Sequence, residues 1–443
     1  MPRKKKGGQE SQPANTQVDD NLAQQGPEDL PSAGSGHRPA EEQPRDEVAE
    51  QEPENVPPEA PSPPAPAEER EPRPIEVQVG KLREALVLVG PVVPYKSTLP
   101  VTLNVRLGNG RVLATDLEVA VAVQVPEAED PVLLPHKGAL EFLKYAPGHE
   151  TARITRQKGV VNIAAGEQSA SFQTPDASEF PPIPEEGGDS EGVLDGEALV
   201  RALTAVQPCA ATEQDRPVLT GVYLATGEAV EVCGADGFRL AWEPVLGKLV
   251  GPSMIIPAGA VRALEHLWKR AAVPDLSGAT DPARVALAKR LIRLDWGDKR
   301  LRLSFGAVTI MVQLVQGTFP NYRQLIPAET TSSVTVAAEE MERALRQVNR
   351  VARDGSGIIR LQWEGNTVRV SARAEEVGET VVPVPANSTG PGKVGLNLRY
   401  LLDYFGGREG SVTISLTGQD GAPVRFAHRG RPHVIIMPMS VKD

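Results

Sequence analysis

Apolar residues recur at two periods along most of the chain, and the switch between the periods divides it into elements. Ile292, Leu294 and Trp296 alternate with polar residues as far as Gly297-Asp298, and Leu301, Leu303 and Phe305 alternate beyond. Successive side chains on a strand point to opposite faces, so two such runs predict a hairpin with one buried face and a two-residue turn. Ile359, Leu361 and Trp363, then Val368 and Val370, flank Glu364–Thr367 in the same way. Both pairs read as antiparallel strands of half-buried sheets.

A helical period appears three times with one spacing. Leu82, Ala85, Leu86 and Val89 fall at i, i+3, i+4 and i+7, as do Leu199, Ala202, Leu203 and Val206, and Met341, Ala344, Leu345 and Val348. That stripe seats a helix on a sheet. A second helix is predicted to start near Pro135, Pro257 and Asn397, with Phe142, Leu264 and Tyr404 seven positions on. From first helix to second the intervals are 53, 58 and 56 residues. Matching layout in three units argues for internal triplication. The first two units are 117 residues apart and the next two 142, which places an insertion at about 273–290 around Pro274, Gly278 and Pro282. The expected class is α+β: three repeated domains, each with two helices packed on antiparallel sheet. The boundaries fall at 75–190, 191–328 and 329–443.

Residues 1–74 stand outside this pattern. They hold 8 Lys/Arg against 16 Asp/Glu and 15 of the 41 prolines, with no Phe, Tyr or Trp. So little apolar surface cannot offset the entropy of ordering, and this acidic Pro-rich tail is expected to be disordered. The remainder carries 39 basic and 42 acidic residues, so most of the formal charge of −11 belongs to the tail. Arg3–Lys6 form a short basic start that reads as solubilising. No apolar stretch is long enough to span a bilayer, and only Cys209 and Cys233 are cysteines, which fits a reducing cytoplasm. The six histidines show no metal-site spacing, and neither a Walker loop nor a dinucleotide fingerprint is present. No catalytic residue, metal or cofactor is expected.

Four motifs carry a resemblance. They are Arg216-Pro217-Val218-Leu219-Thr220-Gly221, Ala235-Asp236-Gly237-Phe238-Arg239-Leu240, Gly317-Thr318-Phe319-Pro320-Asn321-Tyr322-Arg323 and Val434-Ile435-Ile436-Met437-Pro438-Met439. In this order, on a triplicated frame, they resemble the bacterial DNA polymerase III beta subunit, the replicative sliding clamp. The resemblance covers roughly residues 75–443. It implies a head-to-tail homodimer closing a ring around duplex DNA, helices inside and sheets outside. A non-enzymatic tether would then hold the replicative polymerase, be opened by a clamp loader and serve repair factors, at the nucleoid in the cytoplasm. Two other readings keep the frame and change the role: a clamp paralogue with a restricted partner set, and a non-clamp scaffold sharing the fold.

A sliding ring must attract phosphate without reading bases, which calls for Lys and Arg on the inner helices. Lys137 and Lys144 lie seven apart on one helix face, Arg262 and Lys269 repeat the spacing, and Arg343 and Arg346 share a stripe. Read alone, such charges are the solvated faces of amphipathic helices; the resemblance makes them pore lining and adds Lys96 and Arg216. It also implies a partner-peptide pocket. Leu219, Ala235, Gly237, Phe238, Arg239 and Leu240 would form it with Pro320, Gln324 and Leu325 of a linker. Pro423, Ile435, Ile436, Met437, Pro438 and Met439 would complete it. Phe238 stands where many clamps have His, and Gln324 where many have a basic residue, so peptide preference is expected to shift toward apolar contact. Arg350 and Val351 match the family's subunit joint, with Arg350 also on the pore stripe.

Overall fold

A computed structural model describes residues 73–440 except 158, 214, 272–290, 328, 420 and 430–431. Arg3–Lys6, nearly all of the acidic tail and the insertion lie outside the described residues. Within them, one order of elements occurs three times.

The first module begins with β1 (Ile75–Gln78) and α1 (Val79–Val89). β2 (Asn104–Gly108), β3 (Arg111–Thr115), β4 (Val119–Gln124) and β5 (Val132–Pro135) follow, then α2 (His136–Leu143). β6 (Thr151–Gln157), β7 (Val160–Ala165) and β8 (Gln168–Gln173) close it. The second repeats this as β9 (Ser190–Asp195) and α3 (Gly196–Val206), then β10 (Gly221–Ala225) and β11 (Val230–Ala235). β12 (Arg239–Val245), β13 (Met254–Pro257) and α4 (Ala258–Arg270) come next, followed by β14 (Leu291–Trp296), β15 (Arg300–Phe305) and β16 (Val308–Gln313). The third runs β17 (Ser332–Ala337), α5 (Ala338–Asp354), β18 (Ile358–Glu364), β19 (Thr367–Ala374) and β20 (Gly378–Thr389). It ends with β21 (Gly392–Asn397), α6 (Leu398–Phe405), β22 (Ser411–Leu416), β23 (Val424–His428) and β24 (His433–Ile436).

All twelve residues of the three helical stripes are at most 2% exposed, so the repeated spacing is the repeated packing of α1, α3 and α5 onto sheet. Each second helix starts just after the predicted residue. Asn397 helps by accepting a hydrogen bond from the Arg399 amide at 2.9 Å, and Asp195 caps α3 likewise from Ala198 at 2.8 Å. One turn lies a residue later than the sequence pattern suggested. Trp296 pairs with Leu301, and the Gly297 amide donates to the Arg300 carbonyl at 3.0 Å, so the two-residue loop is Asp298-Lys299.

The sheets do not stop at module borders. Each module holds two four-stranded halves. In the first module these are β1-β6-β7-β8 and β5-β2-β3-β4. β4 pairs antiparallel with β16 of the second module, with Val121 opposite Ile310. β12 pairs with β24 of the third, with Leu240 opposite Ile435. The last strand of one half thus joins the last strand of a half in the next module. One large core lies between helices and sheets, and two small cores, around Phe180 and around Phe319, lie on the opposite sheet face at the two seams.

Candidate partner-peptide pocket and nucleic-acid interface

The second seam, β12 against β24, gathers the sequence-predicted pocket. Strand alternation sorts its residues. Leu240 and Ile435 sit opposite each other and join Leu219, Phe319 and Tyr322 in the outer core, while Ile436 belongs to the large core on the other face. Ala235 packs at the edge of the outer core. Beyond the seam the Met437 amide donates to the Phe238 carbonyl at 2.8 Å, and the Met439 amide to the Gly395 carbonyl at 2.9 Å. The Met437–Met439 segment is therefore tied down at the seam, with Met437, Pro438 and Pro423 half-buried and Met439 40% exposed.

The linker forms the other wall because two rings anchor it. Phe319 stacks on Tyr223 at 4.8 Å, and the Tyr322 hydroxyl donates to Glu231 at 2.6 Å. Arg323 donates to the same Glu231 oxygen at 2.6 Å. Burial works against the Glu231 charge, but these two donors outweigh it and hold the carboxyl below its usual range. With Phe319 and Tyr322 buried, Pro320, Gln324 and Leu325 are left exposed toward solvent, and Phe238 on the β11–β12 turn is 61% exposed. The second seam thus carries exposed Phe238, Pro320, Leu325 and Met439 on the segments around its outer core, apolar side chains that suit an extended peptide.

Arg239 departs from its expected place. It precedes Leu240 on β12, so its side chain runs to the opposite face, where it is 8% exposed. Its guanidinium donates to Asp236 at 3.0 Å, to Asp403 on α6 at 2.8 Å and to the Pro208 carbonyl at 2.7 Å, and it stacks 4.3 Å from the Tyr400 ring. It works as a bolt between the second and third modules and leaves the outer face to its neighbours. Gly237 sits at φ 92, and any side chain there would come within 2.6 Å of the Arg216 guanidinium, which places Arg216 over the pocket turn.

The basic residues assigned to the pore all lie exposed: Lys96, Lys137, Lys144, Arg216, Arg262, Lys269, Arg343, Arg346 and Arg350. They differ in how free their charges are. Lys269 pairs with Glu265 at 2.6 Å, Arg346 with Glu342 at 2.6 Å and Arg343 with Glu340 at 3.1 Å. Among the described residues Lys96, Lys137, Lys144 and Arg350 make no such pair, so these present the least compensated charge to a phosphate, while Arg262 is partly offset by the Glu118 carboxylate. Two aromatic neighbours were not anticipated: Tyr95, 86% exposed, lies under Lys137 at 5.9 Å, and Tyr145, 76% exposed, under Lys144 at 5.2 Å. Val351 is 9% exposed in the core beneath α5, so it faces its own sheet while Arg350 faces solvent. Cys209 and Cys233 are buried and unpaired, and burial pushes the Cys209 thiol up to about 12, which leaves it inert as a nucleophile. Among the described residues no group of three His, Cys, Asp or Glu could hold a metal, and no helix is long and apolar enough to cross a membrane.

Residues 193–321 match the model of the DNA polymerase III beta subunit central domain, and residues 323–440 that of its C-terminal domain. The chain belongs to the DNA polymerase III beta subunit family. The Caulobacter vibrioides beta sliding clamp is 25% identical over 386 residues, covering 82% of this chain and 96% of the relative. The Staphylococcus aureus beta sliding clamp is 22% identical over 346 residues, covering 73% and 86%. Among solved structures the Pseudomonas aeruginosa beta subunit aligns at TM-score 0.71 and 23% identity, covering 83% of this chain and all of that one. The Thermotoga maritima beta subunit aligns at 0.70 and 20%, with the same coverage. This clamp shares with them the fold of antiparallel sheets and six helices in repeated modules.

Proposed function

We propose that two copies of this chain close head to tail into a ring around duplex DNA, hold the replicative polymerase there and perform no catalysis themselves. The seams carry this reading. At β4–β16 and β12–β24 the last strand of a half in one module joins the last strand of a half in the next. Of the two remaining strands of that kind, β8 ends its sheet in the first module, and β20 of the third pairs with β19 along Gly378–Pro385 and with β17 only along Ala386–Thr389, which leaves its edge opposite β19 uncovered over Gly378–Pro385. Pairing β20 of one copy with β8 of another repeats the same joint and continues the sheet around a closed path. The joint then lies on these strands; Arg350 and Val351 belong to the helix layer packed beneath β19 and β20.

Closure puts the exposed faces of α2, α4 and α5 toward the hole, where Lys137, Lys144, Arg262 and Arg350 meet phosphates through loose, salt-sensitive contacts. Lys96, Arg216, Lys269, Arg343 and Arg346 add to that field. A covered ring holds DNA by topology, so these contacts need little affinity. The outer side of the second seam docks peptides from the polymerase, the clamp loader and repair factors, in the bacterial cytoplasm at the nucleoid. Loaded on a nicked circular plasmid, the clamp should stay bound in high salt and slide off when the circle is cut. Equal retention on circular and linear DNA would overturn the ring.

A further inference from the structure

Exposed aromatic rings are few, and two of them share one helix face. Among the described residues the exposed apolar side chains include three aromatic ones, Tyr95, Tyr145 and Phe238. Phe238 belongs to the second seam. Tyr95 and Tyr145 lie at the two ends of α2 in the first module. Lys137 in the first turn of α2 sits 5.9 Å from the Tyr95 ring, and Lys144 at its C-cap sits 5.2 Å from the Tyr145 ring. Seven residues of helix separate the two lysines by about 10 Å and return them to the same side. The basic helices α4 and α5 carry no exposed aromatic residue.

Both rings stand on fixed backbone. Arg83 on α1 reaches the end of α2 and donates to the carbonyls of Leu143 at 3.3 Å and of Lys144 and Ala146 at 3.4 Å, on both sides of Tyr145. Beside Tyr95, the Ser97 hydroxyl oxygen accepts from the Leu99 amide at 3.0 Å and from the Thr102 hydroxyl at 2.9 Å. Lys81 pairs with Glu127. The other charged side chains of α1, of α2 with its C-cap and of Tyr95-Lys96 are Arg83, Lys96, Lys137 and Lys144 against Glu84 and Glu141, so cations prevail. Glu141 lies between the two lysines in sequence, yet among the described residues neither closes an ion pair with it, and each ammonium sits over a ring instead.

We propose that this face of the first module binds single-stranded DNA, with unpaired bases stacked on Tyr95 and Tyr145 and phosphates held by Lys96, Lys137 and Lys144. A ring with an ammonium on one side and solvent on the other offers the two contacts that a nucleotide needs, a flat apolar face and a cation. The bases of a duplex are already stacked on one another, so such a ring finds its partner only where a strand is unpaired. Phosphate attraction, which is all that sliding on duplex requires, is met on α4 and α5 without exposed aromatics. At a rise of about 3.4 Å per nucleotide, the two lysines are about three nucleotides apart along a stacked strand. That DNA passes this face rests on the ring proposed above; stacking itself does not require closure.

The test uses the full-length clamp and a fluorescein-labelled oligothymidine of about 12 nucleotides, beside a blunt duplex of about the same length, both read by anisotropy. Tyr95→Ala with Tyr145→Ala should weaken binding of the single strand about tenfold or more and change duplex affinity by less than about twofold. Tyr95→Phe with Tyr145→Phe should keep both affinities. Lys137→Ala with Lys144→Ala should weaken both DNAs and flatten their salt dependence. An oligothymidine carrying 5-iodouracil should cross-link to Tyr95 and Tyr145 on irradiation. No binding of the single strand by the wild type, an equal loss on both DNAs in the alanine variant, or cross-links confined to Phe238 and Tyr322 of the second seam would each overturn the proposal. Failure of the ring would show separately, as equal retention of the wild type on nicked circular and linear DNA, an assay in which the alanine variant should match it.

Discussion

Replacing Arg239 by alanine should loosen the second module from the third and leave the peptide site in working order. The guanidinium makes three hydrogen bonds of 2.7 to 3.0 Å, two of them to carboxylates, and stacks on Tyr400 at 4.3 Å. Breaking one side of a buried charge cluster costs about 3–5 kcal/mol. Asp236 keeps two backbone amides through its other oxygen, and the Asp403 side chain is 38% exposed and regains water, so both are partly compensated. The expected loss is therefore at the lower end, about 3 kcal/mol including the ring contact. Arg239→Lys restores a point charge without the fork and should recover only about 1 kcal/mol. Urea unfolding followed by tryptophan fluorescence reads the loss, and anisotropy of a labelled polymerase-tail peptide at low temperature reads the peptide site. A stability change below about 1 kcal/mol together with abolished peptide binding would mean that Arg239 touches the peptide, and the inward orientation would be wrong.

Two other measurements address closure and the linker. The Ala386 amide donates to Asn366 on the β19 side, so by alternation Pro383 and Pro385 turn their missing N–H groups to the open edge of β20. Pro383→Thr with Pro385→Thr should supply donors to that edge and tighten the dimer by about 1 kcal/mol per restored bond, read as a lower dissociation constant in sedimentation equilibrium; an unchanged constant would remove β20 from the joint. Glu231, whose folded pKa is depressed below 4.5, contributes stability that is present above its unfolded value and is lost as pH falls through the folded one. Glu231→Gln should therefore cost about 1.5 kcal/mol at neutral pH and flatten the fall in melting temperature below pH 4.5, whereas parallel curves for wild type and variant would show that the linker is not anchored there.

The helix stripes and the motif positions were legible from the chain because each is a local pattern: packing a helix on a sheet requires i, i+3, i+4 and i+7, and twelve of twelve such positions are buried. What escaped was decided by pairing between residues far apart in sequence. A contiguous motif such as Phe238-Arg239-Leu240 reads as one wall of a site, yet on a strand its neighbours face opposite ways. Only the register Leu240 opposite Ile435 shows that Arg239 and Ile436 belong to the inner face. Val351 shows the same dependence on geometry: a helix position next to an exposed Arg350 turns by about 100° toward the core. The same dependence on register hid the first seam, because Ala120 and Ala122 look like unremarkable small strand residues until β4 is laid against β16. Their smallness then acquires a meaning, since the second seam fills those places with Leu240 and Trp242 and the first with two alanines packed in the small core of Phe180 and Met311. Triplication copies the scaffold of a site more faithfully than its contents, so each seam of such a chain has to be read for what its own side chains leave room for.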